Sequence, residues 1–228
     1  MEPRRVSPCG PLEVPAAVSA KIAPAEVAAA SAELKLSHVV VTSVTRDDLT
    51  DGGASQFVAT IAALREKLPA AKVEVLIPDF AGDESALAAV MAAMPDVLNH
   101  NIETVPRLYP TVRPGADYHR SLKLLSRAAK MGRGRVIIKS GLMVGLGEEK
   151  AEVTEALKDL ASAGCRLVTV GQYLQPRRDR LPVVRYWEPA EYKEVKATGK
   201  RLGLRIFAGP LVRSSYLADQ SCAGLSGD

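Results

Sequence analysis

Residues 136–170 read VIIKSGLMVGLGEEKAEVTEALKDLASAGCRLVTV. A short β-branched run, 136–139, leads into a segment with three glycines. A helical stretch over 149–163 then opens with acids, where the helix dipole favours them. A second β-branched run, 167–170, follows. Runs of this length suit buried strands, so the stretch reads as strand, helix, strand.

The same unit repeats outward in both directions. Further strands are predicted at 38–42, 73–77, 97–101 and 204–207. Helices are predicted at 24–34, 54–68, 83–94, 117–131 and 189–202, the last with Pro189 at an early helical position. About six such repeats imply a parallel sheet covered by helices. Right-handed crossovers leave an open doubly wound sheet or a barrel. No G-x-G-x-x-G follows the first strand, which counts against the dinucleotide-binding form. Six units are too few for an eight-unit barrel, but an open six-unit barrel remains. In either architecture the site lies at the carboxyl ends of the strands.

Composition agrees with one domain. The chain has 228 residues, 47% hydrophobic and only 4% aromatic, so its core must be built from Ala, Val, Leu and Ile. No apolar run is long enough to span a bilayer, and the first residues lack the apolar stretch of a secretory signal. A cytoplasmic protein, or one imported into an organelle, is expected. The net charge of +4 is mild, and no basic run is interleaved with aromatics, so nucleic acid is not an expected partner.

Polar residues gather at the predicted strand ends. Asp51-Gly52-Gly53 is either a helix-starting turn or a loop whose backbone approaches a ligand. Asn101 and Glu103, two apart, can both face the mouth. His100, between Asn99 and Asn101, reads as a satisfied core histidine. Residues 141–148 lack the lysine and Ser/Thr of a P-loop, and fit close packing against an adenosine group or a simple turn. Arg107, Arg113 and Arg120 suit carboxylate contacts or surface salt bridges. Of the three cysteines, Cys165 reads as a small core residue, and Cys9 and Cys222 form no metal-type spacing with it. No Ser/His/Asp triad can be assembled.

In order, HVVVTSVTRDDLTDGGA, VLNHNIETVPRLYPTVRPGADYHRSL, KSGLMVGLGE, GQYLQP, LPVVRYWEP and GPLVRSSY resemble the lipoyl synthases. The resemblance runs from about residue 24 to 219. It implies a partial (βα)6 TIM-type barrel of the radical S-adenosylmethionine kind within the α/β class. It implies S-adenosylmethionine cleaved at a [4Fe–4S] cluster, a 5′-deoxyadenosyl radical, and two sulfur atoms inserted at C6 and C8 of a protein-bound octanoyl group. The sulfur comes from a second [4Fe–4S] cluster. The partner implied is an octanoylated lipoyl carrier protein or lipoyl domain.

Residue by residue, the resemblance gives the loop Asp51, Gly52 and Gly53 to the methionine part of the cofactor. Ser43, Asn101, Glu103, Arg113 and Gln172 become further cofactor or substrate contacts. Of Arg213-Ser214-Ser215-Tyr216, Ser214 is the favoured oxygen ligand to the auxiliary cluster. The family's C-x-x-x-C-x-x-C falls on Glu2, Val6 and Cys9, so Cys9 alone of the three is a thiolate ligand. One cysteine is not expected to hold a [4Fe–4S] cluster. The cysteines of the auxiliary cluster are expected further upstream than residue 1. Arg180 and Leu217 stand where the family tends to have His. Residues 1–22 are therefore expected to be an irregular remnant of the cluster loop, 23–219 the barrel and 220–228 a flexible tail. A non-catalytic barrel binding S-adenosylmethionine or an acylated carrier, or one half of a split enzyme, are the alternatives.

Overall fold

A computed structural model of the chain describes residues 23–215. Cys9, Tyr216 and Cys222 lie outside them. The elements run α1 (Pro24–Glu33), β1 (His38–Thr42), α2 (Ala54–Lys67), β2 (Lys72–Leu76), α3 (Glu84–Ala92), β3 (Val97–Asn99), α4 (Tyr109–Val112), α5 (Tyr118–Gly132), β4 (Ile137–Val144), α6 (Lys150–Ser162), β5 (Leu167–Gln172), α7 (Pro189–Arg201) and β6 (Arg205–Gly209).

All six strands are parallel and stand in the order in which they occur in the chain. A doubly wound sheet needs a point where that order reverses, and none exists here. Without a reversal, crossovers of one hand place every helix on the same face. The sheet must then curl to bury its other face, which is the partial barrel expected from the sequence. Strands β1 and β6 form its two unpaired edges.

The two sheet faces are separately packed. Val39, Val73, Val75, Leu98, Ile138, Val168 and Val170 share one core with helix residues such as Phe57, Leu64, Leu87, Leu125 and Leu157. Val97, Ile137, Leu167 and Phe207 make a small cluster of their own on the inner face. Each aliphatic side chain buried in the outer layer contributes about 1.5–3 kcal/mol relative to exposure. Cys165 is buried there, and burial pushes its thiol up to about 12. It is the core residue that the sequence indicated.

Helix starts follow the local chemistry. Asp83 accepts from the Ser85 N–H at 2.8 Å, and Asp117 from the Arg120 N–H at 2.6 Å. At α7 the Glu188 N–H donates to Glu191 at 2.8 Å, and Arg185 grips both Glu191 oxygens at 2.8 and 3.0 Å. That guanidinium holds the Glu191 carboxyl at about 2.

Two boundaries depart from the sequence reading. Strand β4 does not stop at Lys139 but continues through Gly141 to Val144, paired with β5 as far as Gln172. Glycine in a strand reads as a break, yet here it is a packing requirement. A Cβ on Gly141 would stand 2.6 Å from Thr169 Oγ1 and 2.9 Å from Asn101 Oδ1. Strand β3 is shorter than expected and ends at Asn99, so Asn101 lies beyond it. The turn α4 gave no periodic signal because it has only four residues. Among the described residues no helix is long and apolar enough to cross a membrane.

Candidate functional site

Alternate residues of each strand face the lumen, and parallel register stacks them in layers. The apolar cluster of Val97, Ile137, Leu167 and Phe207 forms the lowest layer. Above it lies a polar layer. Lys139 Nζ donates to Glu74 Oε1 at 2.8 Å, with both side chains fully buried. Asn99 donates to the same oxygen at 3.3 Å, and His38 Nε2 lies 3.4 Å from Glu74 Oε2. One step further up, the lumen side chains shrink to Gly141, Thr169 and Gly171, and the barrel opens.

Two cavities occupy that opening. One, of about 330 Å³, has walls that include Leu76, Leu142, Met143, Leu174 and Val212, with Ser214 at its edge. The other, of about 800 Å³, runs under the β1 loop past Ser43, Asp79 and Arg120 to Arg113. Asn101 and Glu103 belong to both.

Glu103 is held there by its backbone. Its N–H donates to the Gly141 carbonyl at 3.1 Å and its carbonyl accepts from Met143 at 2.8 Å, at a φ of 63°. A non-glycine residue in this left-handed region is strained, and such strain clusters at functional sites. Burial raises the Glu103 carboxyl above the usual range, while Arg113 and Asn101 oppose the rise. Asn101 Oδ1 is buried without a hydrogen-bond partner among the described residues. An unpaired buried acceptor costs about 1–3 kcal/mol, so it calls for a donor from a ligand or a water. Arg113 spans the carbonyls of Asn101 and Ile102 at 3.2 and 3.5 Å and lies over the Tyr109 ring.

The remaining sequence candidates separate. Ser43 lines the larger cavity and is exposed. The Asp51 carboxylate is committed to α2, accepting from the N–H groups of Gly53 at 2.9 Å and Ser55 at 2.8 Å. The Ser55 hydroxyl, with those two backbone bonds, holds it at about 2. Gly52 packs on Phe80, whose ring carbon would stand 2.9 Å from an added Cβ. Asp51, Gly52 and Gly53 line neither of the two cavities. Gln172 touches the smaller cavity, but its amide is fully used. It donates to the carbonyls of Tyr173 and Arg185, both at 3.1 Å, and accepts from the Trp187 N–H at 3.0 Å and the Tyr192 hydroxyl at 3.2 Å. Arg107 pairs with both Glu152 oxygens at 2.8 Å, and Arg120 with Asp79 at 2.6 Å.

His100 is the satisfied histidine expected, bonded to the Ile77 carbonyl and Ser121 Oγ, each at 3.0 Å. Burial pushes it down to about 4. The unfolded chain then binds a proton that the folded chain refuses between about pH 6.5 and 4. Its contribution is fully present above that window and is lost as pH falls through it. Unfolding free energy measured across this range is expected to decline with falling pH, and His100→Gln to flatten the decline. An unchanged slope in the variant would assign it to other groups.

Sequence reasoning missed Glu74, Lys139 and Glu148. Glu148 accepts from the N–H groups of Gly145 at 2.6 Å and Leu146 at 2.9 Å, and from Trp187 Nε1 at 2.8 Å. For Glu74 and Lys139 the available signal was a single charge inside an otherwise apolar run, whereas Glu148 opens an acidic pair at the end of the 141–148 segment.

The Radical SAM superfamily model matches residues 15–160. The chain is 56% identical over 199 residues to the lipoyl synthase of Caldicellulosiruptor saccharolyticus, covering 87% of this chain and 70% of that protein. It is 56% identical to the lipoyl synthase of Nitratidesulfovibrio vulgaris strain DP4, covering 87% and 66%. For the lipoyl synthase of Methylococcus capsulatus the identity is 56% over 202 residues, covering 88% and 62%. The chain thus spans between 62% and 70% of the length of these relatives. Among solved structures it resembles Streptococcus suis SuiB bound to S-adenosylmethionine, with TM-score 0.61, 10% identity, and 81% and 42% coverage. It also resembles coproporphyrinogen III oxidase (HemN) of Escherichia coli, a radical SAM enzyme, with TM-score 0.56, 17% identity, and 79% and 45% coverage. At such identities the structural likeness concerns the fold alone.

Proposed function

The chain belongs to the lipoyl synthase family of the radical SAM superfamily, and on that premise we propose that it takes part in inserting two sulfur atoms at C6 and C8 of a protein-bound octanoyl group. The observation that carries the reading is the pair Asn101 and Glu103, shared by two cavities of unequal size. The smaller is walled by Leu76, Leu142, Met143 and Leu174 and suits an aliphatic acyl chain. The larger, with Ser43, Asp79 and Arg113, suits a polar cofactor.

Family membership implies S-adenosylmethionine and [4Fe–4S] clusters, and the two meet different fits here. The unpaired Asn101 Oδ1 and the Glu103 carboxylate suit the hydroxyl and ammonium donors of S-adenosylmethionine, with Ser43 and Arg113 beside them. When bound and given one electron by a [4Fe–4S] cluster, that cofactor would supply hydrogen-atom abstraction from unactivated carbon. The chain's own residues orient the reactants: Arg113 fixes the carbonyls of Asn101 and Ile102, above the fully buried Lys139–Glu74 pair. The Asp51–Gly53 turn, whose carboxylate holds the start of α2, remains the proposed backbone contact to the methionine part of the cofactor.

The described residues do not fit a [4Fe–4S] cluster. They contain one cysteine, Cys165, buried and with its thiol raised, and no group of His, Cys, Asp and Glu able to hold a metal. Ser214 stands at the edge of the smaller cavity as the proposed oxygen ligand, and Cys9 remains the proposed thiolate.

The test is titration of the anaerobically reconstituted chain with S-adenosylmethionine, followed by mass spectrometry of an octanoyl-lysine peptide. Glu103→Gln is expected to weaken the cofactor by about 10- to 100-fold, the worth of a hydrogen bond to a charged group. Equal affinity in wild type and variant would remove Glu103 from the site. Absence of sulfur insertion with intact cofactor binding would favour the non-catalytic alternative.

A further inference from the structure

After β5 residues 181–187 run beside the ends of β4 and β5, the Val184 N–H donating to the Gly145 carbonyl at 2.9 Å and the Arg185 carbonyl accepting from Gln172 at 3.1 Å, with burial alternating along the segment. Its alternate residues Leu181 and Val183 pack inward on Val112, Leu146 and Tyr173. An extended segment covering a core from one side ordinarily turns polar residues outward. This one turns out Pro182, Val184 and Tyr186, the last two 62% and 66% exposed. Leu174 and Leu211, 43% and 73% exposed, add to the apolar surface presented by the loops after β5 and β6.

The neighbouring loop is basic. Residues 177–180 read Arg-Arg-Asp-Arg. Arg177 and Asp179 pair at 3.1 Å, but both are more than half exposed, so the pair is weak and the loop keeps a net positive charge. The loop is nevertheless built. Gln175 Nε2 donates to the Arg180 carbonyl at 2.8 Å, and the Tyr173 hydroxyl to the Leu181 carbonyl at 2.8 Å. Leu174 and Pro176 lie at once in this loop and in the wall of the smaller cavity.

We infer that this rim is the docking surface for a folded, acidic carrier domain whose acyl-lysine enters the smaller cavity. The assignment rests on the carrier-bound substrate proposed above. Exposed aromatic and aliphatic residues framed by arginines are the composition of protein interfaces, and the internal bonds hold the surface ready before a partner arrives. The positive charge selects an acidic partner surface and would speed the encounter.

The experiment compares two probes, an octanoylated lipoyl domain of net negative charge and a short octanoyl-lysine peptide, by fluorescence titration against the reconstituted chain. The variants are Arg177→Glu/Arg178→Glu and Val184→Asp, all at exposed positions. Each is expected to weaken the domain by about tenfold or more while leaving the peptide within about twofold. Domain affinity should also fall as salt rises toward about 0.5 M. The docking site is overturned if the variants bind the domain as wild type does, or lose domain and peptide alike. It is also overturned if the variants convert a dimer to a monomer, or if surface labelling finds the rim covered before any partner is added. If wild type binds the peptide and not the domain, docking fails while the proposed function stands.

Discussion

Lys139→Met is expected to destabilise the fold by about 3–5 kcal/mol, because it leaves the Glu74 carboxylate in the lumen without its cation. Neither side chain is exposed, so water cannot replace the lost partner. Asn99 offers one bond at 3.3 Å, and His38 lies 3.4 Å from the other oxygen; neither supplies a permanent charge. The double variant Glu74→Gln/Lys139→Met should recover most of the loss, since replacing both members of a buried pair is often close to neutral. Urea unfolding followed by circular dichroism reads both. A single variant within about 1 kcal/mol of wild type would mean the lumen is wetter than its burial implies.

Gln172→Ala is expected to cost about 2–4 kcal/mol, as it strands buried groups that the amide now joins. The Trp187 N–H and the Tyr192 hydroxyl lose an acceptor, and the Tyr173 and Arg185 carbonyls lose a donor. The effect is local to the segment on which the docking rim stands. The chain has one tryptophan, Trp187, so its emission reports on that segment directly. A red shift in the folded variant, with lowered stability, is expected. Unchanged stability together with weakened S-adenosylmethionine binding would instead make Gln172 a ligand contact, the role the family resemblance gave it.

These two residues mark where the sequence stopped being legible. The strands were visible because β-branched runs such as VEVLI and LVTV fit little else at that length. Asn101 and Glu103 were expected together from a spacing of two at a strand end, but β3 stops at Asn99, and it is the loop beyond, with Glu103 at a φ of 63°, that brings both to the cavities. What spacing cannot give is register. Glu74 and Lys139 meet only because β3 sits between their strands in one particular alignment, which pairs Glu74 with Val97 and Asn99 with Lys139. Gly141 misled for a related reason. Its lack of a side chain answers to Thr169 and Asn101, both distant in sequence, and not to any local turn. Asp51 was equally ambiguous from sequence, since an acid before a glycine pair serves a cap and a ligand loop alike.

The sequential strand order carries a consequence for how the molecule is made. Each new strand pairs with the one synthesised just before it, so contacts close over short stretches of chain and each unit can dock as it leaves the ribosome. The lumen pair breaks that rule, for its members are 65 residues apart. Until β4 emerges, the nascent sheet holds the Glu74 carboxylate with no lysine to meet it, and the charge stays hydrated. Only after Lys139 has emerged can the Glu74 carboxylate meet its cation, so the lumen is expected to exclude water from that point on.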